Sequence, residues 1–134
     1  MKTKLNLLHL TVGIITVLVF LATGLLMRFH LSRVFETNYF VRMLFRSSHI
    51  YILLAGLLNI ALGAYLRLSE SHRKKAVQIF GSICVLMAPA VLIAAFFYEP
   101  YRESLNRPLT PLAMLLLLIG TLCHMLTQIG ARDT

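Results

Sequence analysis

The sequence predicts an all-α fold: an integral membrane four-helix up-down-up-down bundle with short loops and an amphipathic first loop. Three observations predict it. Hydrophobic residues make up 58% of the 134 residues and charged residues only 13%, where a soluble domain carries roughly 25%. The mean hydropathy is +0.79. Four apolar runs, 7–27, 47–66, 76–98 and 109–129, reach the length of about 20 residues that a helix needs to cross the hydrocarbon core. The runs are continuously apolar rather than alternating, which selects helices over barrel strands. The length suits one domain, 1–134.

The first run follows Lys2 and Lys4. It is longer than a signal-peptide core and ends in Leu26-Met27-Arg28-Phe29-His30 rather than at a small-residue cleavage site, so it is expected to be a retained span. Residues 28–46 mix Phe29, Leu31, Val34, Phe35, Tyr39, Phe40, Met43 and Leu44 with arginines. Such a loop is expected to lie in the head-group region as a short interfacial helix or turn. The short connections 67–75 and 99–108 make consecutive helices antiparallel neighbours. In the third run, Pro89 sits mid-helix, where a membrane helix tolerates a kink. Pro108 and Pro111 mark the start of the fourth run, with Thr110 expected as N-cap.

The net charge is +8. The basic residues lie between the apolar runs, which fits topogenic charge and contact with anionic lipid head groups rather than nucleic acid. The termini and second loop carry Lys2, Lys4, Arg67, Arg73, Lys74, Lys75 and Arg132. The other face carries Arg28, Arg33, Arg42, Arg46, Arg102 and Arg107. The compact basic cluster at 72–75 favours cytoplasmic N- and C-termini in a bacterial inner membrane. Cys84 and Cys123 lie inside apolar runs with no CxxC, so they read as small hydrophobes.

At helical spacing each run has a small or polar stripe. The first stripe is Asn6, His9, Gly13, Thr16, Thr23 and Gly24; the second is His49, Gly56, Asn59 and Gly63. The third is Gly81, Ala88, Ala95 and Glu99 with Gln78 at its edge; the fourth is Ala113, Gly120, His124, Thr127 and Ala131. Helices in lipid associate through such seams. His9 and His124 fall at similar depth on inward stripes of neighbouring helices. That arrangement either ligates a b-type haem or marks two interfacial histidines. Gly13 and Gly120 are then room for a porphyrin or packing notches.

His49 belongs at the opposite face, with Arg28, Arg42, Arg46, Tyr98, Glu99 and Arg102. Glu99 is expected to pair with Arg28, Arg42 or Arg46. A sharper reading makes Arg46, His49, Tyr98 and Glu99 a site for an anionic ligand or head group, with Tyr51 alongside.

Helix count, chain size and Arg46, Tyr98, Tyr101 and Arg107 resemble the membrane-associated eicosanoid and glutathione metabolism family. That resemblance implies a thiol-binding end at those residues. The family has Asn and then Glu after the arginine of its second helix; here His49, Ile52 and Leu53 follow, with no carboxylate. Through His9, His49 and His124 the chain also resembles small four-helix b-cytochromes. The first run has no carboxylate for a proton-coupled exporter, and no paired cysteines suit a thiol oxidase.

Three function classes stand together on this pattern. The first is a non-enzymatic accessory or assembly subunit, or a homo-oligomer, acting through helix packing with other membrane subunits or itself. The second is a haem- or quinone-binding protein at His9 and His124. The third is a thiol- or lipid-modifying enzyme at Arg46, His49 and Tyr98.

Overall fold

The computed structural model describes residues 4–129. It contains α1 (Lys4–Phe29), α2 (Ser32–Thr37), α3 (Tyr39–Tyr65), α4 (His72–Tyr98), a 3-10 turn (Pro100–Arg102) and α5 (Leu109–Ile129). α1, α3, α4 and α5 are each long and apolar enough to cross a membrane. No strand occurs among the described residues.

The apolar runs located the helices, but charged flanks hid two starts. α3 begins at Tyr39, two turns before the apolar run at 47. Asn38 caps it, accepting a hydrogen bond from the Val41 N–H at 3.1 Å. Val41, Leu44, Phe45 and Ser48 then form one buried face, with Arg42 and Arg46 turned away from it. α4 likewise starts at His72 and takes in the basic cluster. What remains of the predicted interfacial loop is α2, whose flanking Leu31 and inner Phe35 pack on the core.

The start of α5 corrects another expectation. Thr110 does not precede the helix as N-cap but lies within its first turn. The cap comes from outside: Glu99 Oε1 accepts from the N–H groups of Leu109 at 2.6 Å and Thr110 at 3.2 Å.

The long helices pack in chain order, α1 on α3, α3 on α4 and α4 on α5. α1 and α5 share no interface of comparable extent. The stripes are the seams. Asn6, His9, Gly13, Thr16 and Thr23 are buried on α1, as are Gly56, Asn59 and Gly63 on α3. Gly81, Ala88, Ala95, Glu99 and Gln78 are buried on α4, and Ala113, Gly120, His124 and Thr127 on α5. Ala131, Lys2 and Arg132 lie outside the described residues. Phe45, Ile52, Val85, Leu92 and Phe96 fill the centre, with the Phe45 and Phe96 rings edge to face at 5.2 Å. Outward faces such as Leu7, Leu18 and Leu25 of α1 are bare leucine, the surface that a lipid-facing helix presents.

Gly63 sets the α1–α3 spacing. A Cβ there would lie 2.6 Å from the Leu10 backbone N and 2.8 Å from its Cα. Backbone cannot rotate away, so Gly63→Ala is expected to push α1 off α3 at a cost of about 1–3 kcal/mol. Equilibrium unfolding in mixed detergent reads this as a lower midpoint. Leu18→Ala on the outer face should move it by less than about 0.5 kcal/mol.

Candidate functional site

The two ends of the bundle hold different chemistry. At the Lys4 end, Pro89 determines much of it. Proline has no N–H, so the Val85 carbonyl one turn earlier lacks its helical donor. α4 nevertheless continues through Pro89 as one helix. Asn59 of α3 supplies the missing bond: its Nδ2 donates to Val85 O at 3.1 Å and to Ala55 O at 2.9 Å. With both amide hydrogens committed, Asn59 Oδ1 can only accept. It lies 2.8 Å from His9 Nδ1. His9 therefore carries its proton on Nδ1 and leaves Nε2 as a bare lone pair.

His124 reaches the same region from α5. Its Nε2 lies 3.1 Å from Ser82 Oγ of α4. The His9 and His124 ring centroids are 6.5 Å apart, the planes at 80°. His9 is 0% exposed and His124 4%. His9 Nε2 and His124 Nδ1 are the buried side-chain polar atoms without a hydrogen-bond partner among the described residues. Below them, Asn6 Nδ2 donates to Leu66 O at 2.8 Å, closing the end of the α1–α3 seam.

The glycines near this pair are packing notches. A Cβ on Gly13 would meet the Ile60 backbone N at 2.7 Å, and one on Gly120 would meet Val85 Cγ2 at 2.5 Å. Free space lies elsewhere. His124 borders a cavity of about 220 Å³ walled by Leu58, Leu62, Tyr65 and Met125. A second cavity of about 500 Å³ shares Tyr65 and Gln128 with it and has Arg67 on its wall.

At the opposite end, Glu99 is 2% exposed. Its cation is Arg107, not Arg28, Arg42 or Arg46 as the sequence led one to expect. Arg107 Nε lies 3.3 Å from Glu99 Oε2. The guanidinium also donates to Ser47 Oγ at 2.9 Å, to Ser48 Oγ, and to Thr110 Oγ1 at 3.1 Å. Thr110 Oγ1 in turn donates to Glu99 Oε2. The network pins the α4–α5 loop to α3 and uses both carboxylate oxygens.

The remaining residues of the anionic-ligand reading do not converge on Glu99. Tyr98 is exposed, with the Arg102 guanidinium 4.7 Å above its ring. His49 faces α1: its Nδ1 donates to Thr23 Oγ1 at 3.0 Å and its ring stacks on Phe20 at 4.0 Å. The Thr23 hydroxyl hydrogen is already given to Phe20 O at 2.9 Å, which fixes that direction. Arg46 is exposed and lines a separate cleft with Arg28 and Arg42. Tyr51 packs against the hydrophobic core, and Tyr101 lies edge-on to Phe45 at 5.3 Å.

Arg107 enters the sequence reading only through the resemblance to a thiol-binding end, not as the partner of Glu99, and Ser82 does not enter it. Arg107 sits in a loop with no periodicity, and Ser82 is an ordinary small residue beside Gly81. Among the described residues no three His, Cys, Asp or Glu side chains gather as a metal-binding group. Comparison with protein-family models, with curated proteins and with solved structures finds no match to this chain.

Proposed function

We propose that this chain is a non-enzymatic accessory protein of the membrane that carries a b-type haem on His9 and His124. One observation carries the reading: two buried imidazoles with ring centroids 6.5 Å apart each keep one ring nitrogen without a partner. An unsatisfied buried polar atom costs about 1–3 kcal/mol. A metal ion is a partner that suits a bare imidazole nitrogen. The 6.5 Å between centroids is close to the span of two imidazoles on opposite sides of one ion, each bound at about 2 Å.

Haem iron suits the setting better than a bare ion. Two neutral nitrogens leave a divalent ion short of ligands and its charge uncompensated in lipid. A porphyrin dianion brings four further nitrogens and cancels that charge, and the cavity beside His124, not the closed Gly13 and Gly120 notches, is where its ring would find room. The hydrogen bond from His9 Nδ1 to Asn59 is the outer-shell bond that orients a ligating imidazole. The Ser82 hydroxyl can do the same for His124. Arg67, on the wall of the larger cavity, is a cation for a propionate. The non-enzymatic part of the reading is supported by Glu99 and Arg107, whose charges are spent on each other and on the loop.

Haemin added to purified protein tests it. His9→Ala and His124→Ala are each expected to weaken binding by more than about tenfold, while circular dichroism and elution volume stay as in the wild type. His49→Ala should bind as the wild type does. Equal binding by His9→Ala and the wild type would end the proposal.

A further inference from the structure

At the end opposite His9 and His124, the end of α1, α2 and the start of α3 border an open cleft of about 350 Å³. Arg28, Arg42 and Arg46 line it, with Ser32 between them and Glu36 as the one carboxylate on its wall. None of the three arginines has a carboxylate within ion-pair distance among the described residues, and none donates a hydrogen bond there. Arg28 and Arg42 lean over the rings of Phe29 and Tyr39, at 5.9 and 4.8 Å. Arg42 also stands near the positive end of the α3 macrodipole, where a cation is disfavoured, while Arg28 stands in the last turn of α1, where one is favoured. Three guanidiniums thus share one cleft with a single carboxylate, Glu36, on its wall and no ion pair among the described residues. Contrast Arg107, which is fully engaged with Glu99, Ser47, Ser48 and Thr110.

We infer that this cleft binds the phosphate of an anionic phospholipid head group. Guanidinium forks match phosphate oxygens, and the Ser32 hydroxyl adds a donor. Met27 and Phe35 form an apolar wall beside the arginines. On α1 the exposed Leu21 and Leu25 continue toward the membrane interior, a track for an acyl chain. A soluble phosphate ester shares the phosphate chemistry but has no use for that track.

Native mass spectrometry of the purified protein, delipidated and then given phosphatidylglycerol, tests the inference. One tightly retained lipid per chain is expected. Each arginine replaced should weaken retention about fivefold, so R28Q/R42Q/R46Q loses it. Arg46→Gln alone, at an exposed side chain with no bond to lose, gives the single step without risk to folding. Arg33→Gln, outside the cleft on α2, should retain lipid as the wild type does. Unchanged retention in Arg46→Gln or in the folded triple variant would overturn the inference, as would an equal loss in Arg33→Gln. Glycerol phosphate is expected to displace the lipid only weakly. Displacement at concentrations equal to the lipid's would overturn the lipid assignment.

Discussion

Arg107→Ala is expected to destabilise the bundle by about 3–5 kcal/mol, the largest effect of any single polar substitution in this chain. The substitution strips Glu99, 2% exposed, of its cation and leaves Ser47 and Ser48 without the guanidinium. The value belongs near the lower limit. Glu99 keeps its bonds from the Leu109 and Thr110 N–H groups, and the positive end of the α5 macrodipole still favours its charge. Arg107→Lys retains the charge but not the fork that reaches Glu99, Thr110 and both serines, so it should recover only part of the loss. Adding Glu99→Gln to Arg107→Ala removes the orphaned charge and should restore stability relative to Arg107→Ala. Midpoints of unfolding in mixed detergent for the four members of that cycle give the coupling directly. A double variant less stable than Arg107→Ala would show that the carboxylate does not need its cation.

Asn59→Leu is expected to produce the second-largest effect, with a specific cure. The amide joins three helices: it accepts from His9 of α1 and donates within α3 and to Val85 of α4. Ala55 O keeps the ordinary helical donor at residue 59. Val85 O has none, because residue 89 is proline. Leaving that carbonyl and the His9 Nδ1–H without partners costs about 1–1.5 kcal/mol each. Pro89→Ala restores an N–H one turn after Val85. In the Asn59→Leu background it should recover the carbonyl's share and leave the histidine's share lost. If Pro89→Ala changes stability equally in the Asn59→Leu and wild-type backgrounds, the two positions are not coupled through that carbonyl. Haem affinity should fall by about 10–100-fold in Asn59→Leu whether or not Pro89 is replaced.

The seams were legible in the sequence because helical packing in lipid is decided by side-chain size at fixed spacing. Asn6, His9, Gly13 and Thr16 had to share a face whatever α1 packs against. Equal depth placed His9 and His124 within 6.5 Å of each other, but α1 and α5 are not the packed neighbours that the sequence led one to expect, because each packs chiefly on the helix next to it in the chain. What could not be read was any bond whose partner is set by a loop or by a missing atom. Arg107 lies in the irregular stretch before α5, so neither period nor depth links it to Glu99 or to Ser47 some sixty positions earlier. The sequence did present Arg28, Arg42 and Arg46 at the correct end, and three arginines are ample to neutralise one carboxylate. The chain instead neutralises Glu99 from its own loop and leaves the three facing a cleft of their own. Asn59 read as a packing residue. Its role as donor for a proline-orphaned carbonyl depends on α3 and α4 bringing positions 59 and 85 together.

The proposed function stands or falls on whether the buried imidazoles of His9 and His124 hold haem iron. The visible spectrum of the protein purified in mild detergent from haem-replete cells, oxidised and then reduced, decides it. A Soret band with sharp α and β bands on reduction, at one haem per chain, is the expected result. A colourless, fully helical protein that takes up no haemin on incubation would overturn the proposal.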